Sequence, residues 1–161
     1  REKTVDSGAL DGLVKRLHGM ARAYSLLADR FWTTVGIRDI IKDEMAPFDS
    51  DRVHFSGPNL QLEPTQALAV SMVIHELATN AIKYGGLANH NGTLEVRWKH
   101  TDKRIHLTWK ERDGPRAEKP EKNGFGYVLI EGQVEQQLSG CLETTFGPEG
   151  LSVKIEFPLE A

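Results

Sequence analysis

One apolar run organises the hydrophobic pattern of this chain. It opens at Pro64, and from Ala67 to Ile74 every position but Ser71 is apolar. A run with no polar side predicts a helix buried on most of its faces. Pro64 stands where proline is tolerated, in the first turn. Polar residues return at His75, and Tyr84-Gly85-Gly86 is the expected end, a glycine taking the left-handed cap conformation.

Upstream, residues 1–8 are polar and expected to fray. Leu10, Leu13, Val14, Leu17, Met20, Ala21, Tyr24, Leu27, Ala28 and Phe31 then recur at steps of three and four, predicting a helix of about twenty residues that ends near Trp32. Its single apolar stripe must be covered by the domain, by a neighbouring segment or by a second copy. Thr33-Thr34-Val35-Gly36 reads as a break, and Ile37, Ile40, Ile41 and Met45 as a short helix stopped by Pro47. Asp51–Ser56, with Val53 and Phe55 inward, and the pair Leu60 and Leu62 are short strands around a Gly57-Pro58 turn.

Downstream, Leu94, Val96 and Trp98 alternate with Glu95, Arg97 and Lys99, and Ile105, Leu107 and Trp109 with His106, Thr108 and Lys110. This is a hairpin across Asp102-Lys103 with one face buried. Residues 112–123 carry charge and proline without periodicity, which predicts a mobile loop. Gly124-Phe125-Gly126 opens an apolar helix through Tyr127, Val128, Ile130, Val134 and Leu138, and Cys141–Phe146 pairs with Leu151–Phe157 as a last hairpin. The composite is α+β: a mixed or antiparallel sheet covered on one side by helices, with an N-terminal helical extension.

Composition narrows the function classes. A length of 161 residues suits one domain or a domain with a short appendage, and a net charge of −3 leaves no electrostatic footprint for nucleic acid or an anionic membrane. The single Cys141 excludes an internal disulfide, and no Cys/His spacing suits structural zinc, which fits a reducing compartment. Without a signal peptide or a run of membrane-spanning length, the expectation is a cytoplasmic fragment making no membrane contact.

The candidate chemistry sits at the end of the central helix. At 3.6 residues per turn, Glu76, Asn80 and Lys83 share one face, Tyr84 lies beside them, and His75 and Thr79 flank the stripe. Either these are solvated surface groups or they line a cleft; the apolar run before them leaves little room for a wholly exposed face. A zinc-protease motif is excluded, because Thr79 stands where its second histidine is needed. Strand alternation points Glu111 inward, where a charge needs a partner or a purpose, unless the strand end relaxes and it reaches water. A Gly-x-Gly before a helix either forms a turn or brings backbone N–H groups to an anion. His18, off the apolar stripe, reads as solvated, and Cys141 as a core or edge residue with no activating base.

His75-Glu76-Leu77-Ala78-Thr79-Asn80-Ala81 resembles the N box of the Bergerat-fold ATPases, which group sensor histidine kinases with MutL and gyrase B. That histidine, Trp109-Lys110-Glu111 and Gly124-Phe125-Gly126 together resemble the HWE histidine kinases, in the right order and across most of residues 64–130. The resemblance implies a Bergerat-type sandwich over residues 35–161, with residues 1–34 holding the second helix of a dimerisation and phosphotransfer element. It implies ATP and Mg2+ as ligands. Asn80 would coordinate Mg2+, Glu76 would hold a metal-bound water or orient the phosphoacceptor, and Lys83 and Tyr84 would face phosphate or ribose. Gly124, Phe125 and Gly126 would approach the phosphates, with 112–123 as a lid. His75 marks the family without an assigned task.

Two departures shape the expectation. Typical members read the adenine amino group with an Asp at a strand end; here Glu111 takes that place by alternation, with Asp113 the alternate. The family's phosphoacceptor segment has no counterpart in these residues, so the acceptor histidine is expected upstream of Arg1, and the chain alone is expected to bind ATP without phosphorylating itself. The parent would form a homodimer and pass the phosphoryl group to an Asp of a response-regulator receiver domain. The alternatives are a histidine phosphotransfer or scaffold protein with a degenerate ATP domain, and an ATPase of the MutL kind.

Overall fold

Two nine-residue strands with alternating buried positions, one on each side of a two-residue turn, build the centre of the sheet. The computed structural model describes residues 8, 10–19, 34–48, 51–117 and 125–159. In it β4 (Thr93–Thr101) and β5 (Arg104–Arg112) pair antiparallel, and Asp102 and Lys103 both take positive φ, the twist that a tight two-residue hairpin requires. Leu94, Val96, Trp98, Ile105, Leu107 and Trp109 are buried, while Arg97 and Lys99 between them are exposed. β2 (Val53–Ser56) joins β4 in parallel, and β7 (Gly150–Pro158) and β6 (Cys141–Gly147) extend the other side, giving the order β2-β4-β5-β7-β6. The sheet is mixed, as expected. Cys141 lies exposed on the β6 edge.

The inward faces of these strands share one core with the helices. α3 (Pro64–Lys83) contributes Ala67, Val70, Val73, Ile74, Leu77 and Ala81, and α2 (Ile37–Met45) contributes Ile37, Ile40, Ile41 and Met45. Burying most sides of α3 is what its unbroken apolar run dictates, since each apolar side chain removed from water contributes on the order of 1.5–3 kcal/mol. α4 (Phe125–Gly132) runs into a wider π-helical turn, Gln133–Gln137, and buries Ile130, Val134 and Leu138 against the core.

Two expectations are corrected. Val35–Gly36, read as part of a break, is a short strand (β1) paired antiparallel with Gln61–Leu62 (β3). A strand of this length has too few residues to show alternation. Neither Gly85 nor Gly86 has a positive φ; Tyr84 caps α3, its N–H reaching the carbonyls of Asn80 and Ala81. The glycines serve close approach instead.

Helix α1 (residues 10–19) is the described part of the predicted N-terminal helix. Leu10, Leu13, Val14 and Leu17 expose 42–54% of their surface, and His18 is exposed as expected. The rest of that helix, and residues 118–124 of the loop with Gly124, lie outside the described residues.

Candidate functional site

Glu111 ends the inward row of β5 and is only 3% exposed. Its Oε1 accepts the Gly86 N–H at 2.7 Å and its Oε2 accepts the Trp109 indole N–H at 3.1 Å. The carboxylate therefore ties the strand end to the turn that leaves α3, and the solvated alternative is excluded. A Cβ on Gly85 would lie 1.9 Å from Glu111 Oε1, which is why a glycine follows Tyr84. Arg52 closes the same turn from β2's side: its guanidinium donates to the carbonyls of Gly92, at 2.8 Å, and Asn89.

Burial pushes the Glu111 carboxyl above the usual carboxylate range, and the bonds from Gly86 and Trp109 pull the other way without cancelling it. A group whose folded pKa exceeds its unfolded value contributes stability at low pH and loses it as pH rises through the folded value. Relative to Glu111→Gln, the wild-type chain is therefore expected to gain stability as pH falls from neutral toward the ordinary carboxylate range, read from urea midpoints of both proteins. A parallel pH dependence in the two would contradict a desolvated carboxylate.

The stripe on α3 passes from buried to open. Glu76 is 5% exposed, Asn80 half-buried, Lys83 exposed and Tyr84 74% exposed. Across from them, Gly126 in the first turn of α4 is buried: a Cβ there would lie 2.9 Å from Glu76 Oε2, 3.0 Å from a guanidinium nitrogen of Arg16 and 3.9 Å from Asn80 Nδ2. Three predicted residues thus meet, with the absent side chain leaving the α4 backbone against the polar face of α3. Phe125 opens α4 beside them. Asp113, at φ 58°, is exposed and borders an open cleft with Arg112, Gly114, Pro148 and Glu149, apart from the buried Glu111 carboxylate.

Two partners were not legible in the sequence. Arg16 on α1 forms an ion pair with Glu76, Nε to Oε1 at 3.3 Å. Glu44 on α2 bridges α3, accepting from Ser71 Oγ at 2.9 Å and facing His75 Nδ1 at 3.1 Å. The spacing of Ser71 and His75, one helical turn apart, was the available signal for a shared partner. Thr79 bonds back to the His75 carbonyl at 2.9 Å.

The donor set suits a hard cation beside phosphates. The Asn80 amide and the Glu76 carboxylate, the latter paired with Arg16, offer oxygen donors of the kind Mg2+ takes, and Mg2+ is ordinarily held by one or two protein groups together with substrate phosphates. Among the described residues no cluster of three His, Cys, Asp or Glu forms a metal cage.

A family model described as HWE histidine kinase matches residues 1–59, ahead of the N-box-like stretch. A blue-light-activated histidine kinase of Rhizobium johnstonii is 36% identical over 145 residues, covering 89% of this chain and 42% of the relative. The chain thus spans less than half the length of the curated relatives it matches. In fold it resembles the histidine kinase domain of the Erythrobacter litoralis EL346 blue-light-activated histidine kinase, with a TM-score of 0.72 at 20% identity over 89% of this chain and 75% of that one. It also resembles histidine kinase ThkA, solved in complex with the response regulator protein TrrA, with a TM-score of 0.62 at 14% identity over 99% of this chain and 53% of that one. In sequence the chain is similar to HWE histidine kinases over residues 1–59 and to blue-light-activated histidine kinases along most of its length, and in fold it resembles histidine kinase catalytic domains.

Proposed function

We propose that this domain binds Mg-ATP between the polar end of α3 and the start of α4 and donates the γ-phosphoryl group to a histidine of the phosphotransfer element. The observation that carries the site is the meeting of Gly126 with Glu76 and Asn80. A helix start without a side chain leaves backbone N–H groups and the positive end of the dipole to face phosphates. Asn80 and Glu76 would hold Mg2+, which when bound neutralises charge between the phosphates. Lys83 and Tyr84, exposed one turn on, would reach phosphate or ribose.

Glu111 supplies the buried acceptor for the adenine amino group, since a carboxylate that already accepts two N–H bonds retains further lone-pair sites. Asp113, at the rim, is the alternate. The loop of residues 112–123 would serve as the lid over the nucleotide, with Gly124 and Phe125 approaching the phosphates beside Gly126. Residues 1–34 belong to the phosphotransfer element and 35–161 to the catalytic domain; the exposed Leu10, Leu13, Val14 and Leu17 support a homodimer through α1. A response-regulator receiver domain, the kind of partner seated on ThkA, would take the phosphoryl group onwards in the cytoplasm.

Saturating Mg-ATP, at about 100 times its Kd, stabilises a folded chain by about 2.7 kcal/mol. For a domain of this size the expected rise in melting temperature is roughly 5–10 °C. A folded chain whose melting curve does not move with Mg-ATP would refute the site.

A further inference from the structure

Glu44 directs both carboxylate oxygens at one face of α3, to Ser71 Oγ and to His75 Nδ1. A carboxylate accepts, so in this contact His75 carries its proton on Nδ1, and Nε2 is the nitrogen left for an outward partner. That outer edge faces α1: a Cβ on Gly19 would lie 3.0 Å from His75 Cδ2 and Nε2. At the next residue of α3, Glu76 engages Arg16 of the same helix. The two neighbouring residues of α3 therefore meet α1 together, and the histidine among them is held from behind by a third helix.

An imidazole on a helix surface has a broad ring torsion and exchangeable tautomers. A carboxylate from a separate element removes both freedoms, as it does for histidines that must present one chosen nitrogen. We infer that Glu44 is a positioning residue for phosphoryl transfer: it fixes His75 so that Nε2 is presented to α1, and His75 thereby sets how the phosphotransfer element seats on the catalytic domain. This rests on the assignment of α1 to that element. It gives His75 a task directed at the helix, not at the nucleotide.

The test compares wild type, Glu44→Ala and Glu44→Gln in the full-length kinase. Because small misplacements of reacting groups slow a step far more than they weaken binding, Glu44→Ala should lower phosphohistidine formation at saturating ATP about tenfold or more, with the KM for ATP within about twofold. Glu44→Gln, whose amide oxygen can still accept from Nδ1, should recover most of the rate. Long-range nitrogen–proton spectra should show His75 protonated at Nδ1 in the wild type and the glutamine variant, and losing that preference in Glu44→Ala. An unchanged rate in Glu44→Ala, a rise in KM without a rate loss, or a glutamine variant as slow as alanine would overturn the proposal. Should Glu44→Ala fail to fold, the rate and ring spectrum of Glu44→Gln decide alone. A wild-type chain that binds no Mg-ATP refutes the kinase assignment, whereas a His75 that keeps its Nδ1 proton in Glu44→Ala refutes the positioning.

Discussion

Trp109→Ala should destabilise the fold by about 3–5 kcal/mol, the range for removing a large aromatic side chain from a packed core. Trp109 has no exposed surface, and it sits across from Val96 on one side and Val153 on the other, so neither neighbouring strand can collapse into the space without losing its own register. The indole also donates to Glu111 Oε2. Its removal leaves a buried carboxylate with one fewer stabilising bond, which adds to the packing loss. Against a total stability of about 5–15 kcal/mol, this is a large fraction. Urea denaturation reads it directly. Trp109→Phe separates the two contributions, because it keeps most of the packing and none of the hydrogen bonding; it should fall between wild type and alanine. A wild-type midpoint for Trp109→Ala would show that the Trp109–Glu111 pair does not hold the strand to the α3 turn.

Asn80→Ala should cut the melting shift that Mg-ATP produces by about half or more while leaving the ligand-free melting temperature close to that of the wild type. Asn80 is half-buried and lies near Gly126, on the face proposed for the phosphates. Losing one metal ligand of the few the protein supplies weakens the Mg-nucleotide by about tenfold or more, whereas a substitution at a partly exposed helix position that alanine suits costs the fold little. Nucleotide binding without Mg2+ should change far less. A full Mg-ATP shift in Asn80→Ala would remove the metal role from this residue.

What could be read from residues alone was whatever rests on periodicity. The apolar run from Ala67 to Ile74 announced a buried helix, and the two-residue step through Ile105, Leu107 and Trp109 aimed Glu111 inward, where it is found. Gly85 departs from the expected left-handed cap because a glycine after a helix serves such a cap or close approach equally well, and only the position of Glu111 decides between them. The β1–β3 pair was missed for want of length.

The site was half legible. Glu76 and Asn80 are one turn apart on one helix, so helical geometry brings them together without knowledge of the fold. Gly126 joins them only through the packing of α4, and Glu44 reaches His75 across 31 residues of sequence. Arg16 against Glu76 likewise follows from how α1 lies on α3. Such contacts depend on tertiary packing, which no local pattern encodes.

The most direct measurement is a titration of the nitrogen-15-labelled chain with Mg-ATP, followed amide by amide. The largest shifts are expected on Asn80, the Gly85–Gly86 turn and Gly126, and they should diminish when Mg2+ is withheld. Shifts confined to the Asp113–Glu149 cleft, or none at ligand concentrations that saturate a related kinase domain, would contradict a nucleotide site built from the end of α3 and the start of α4.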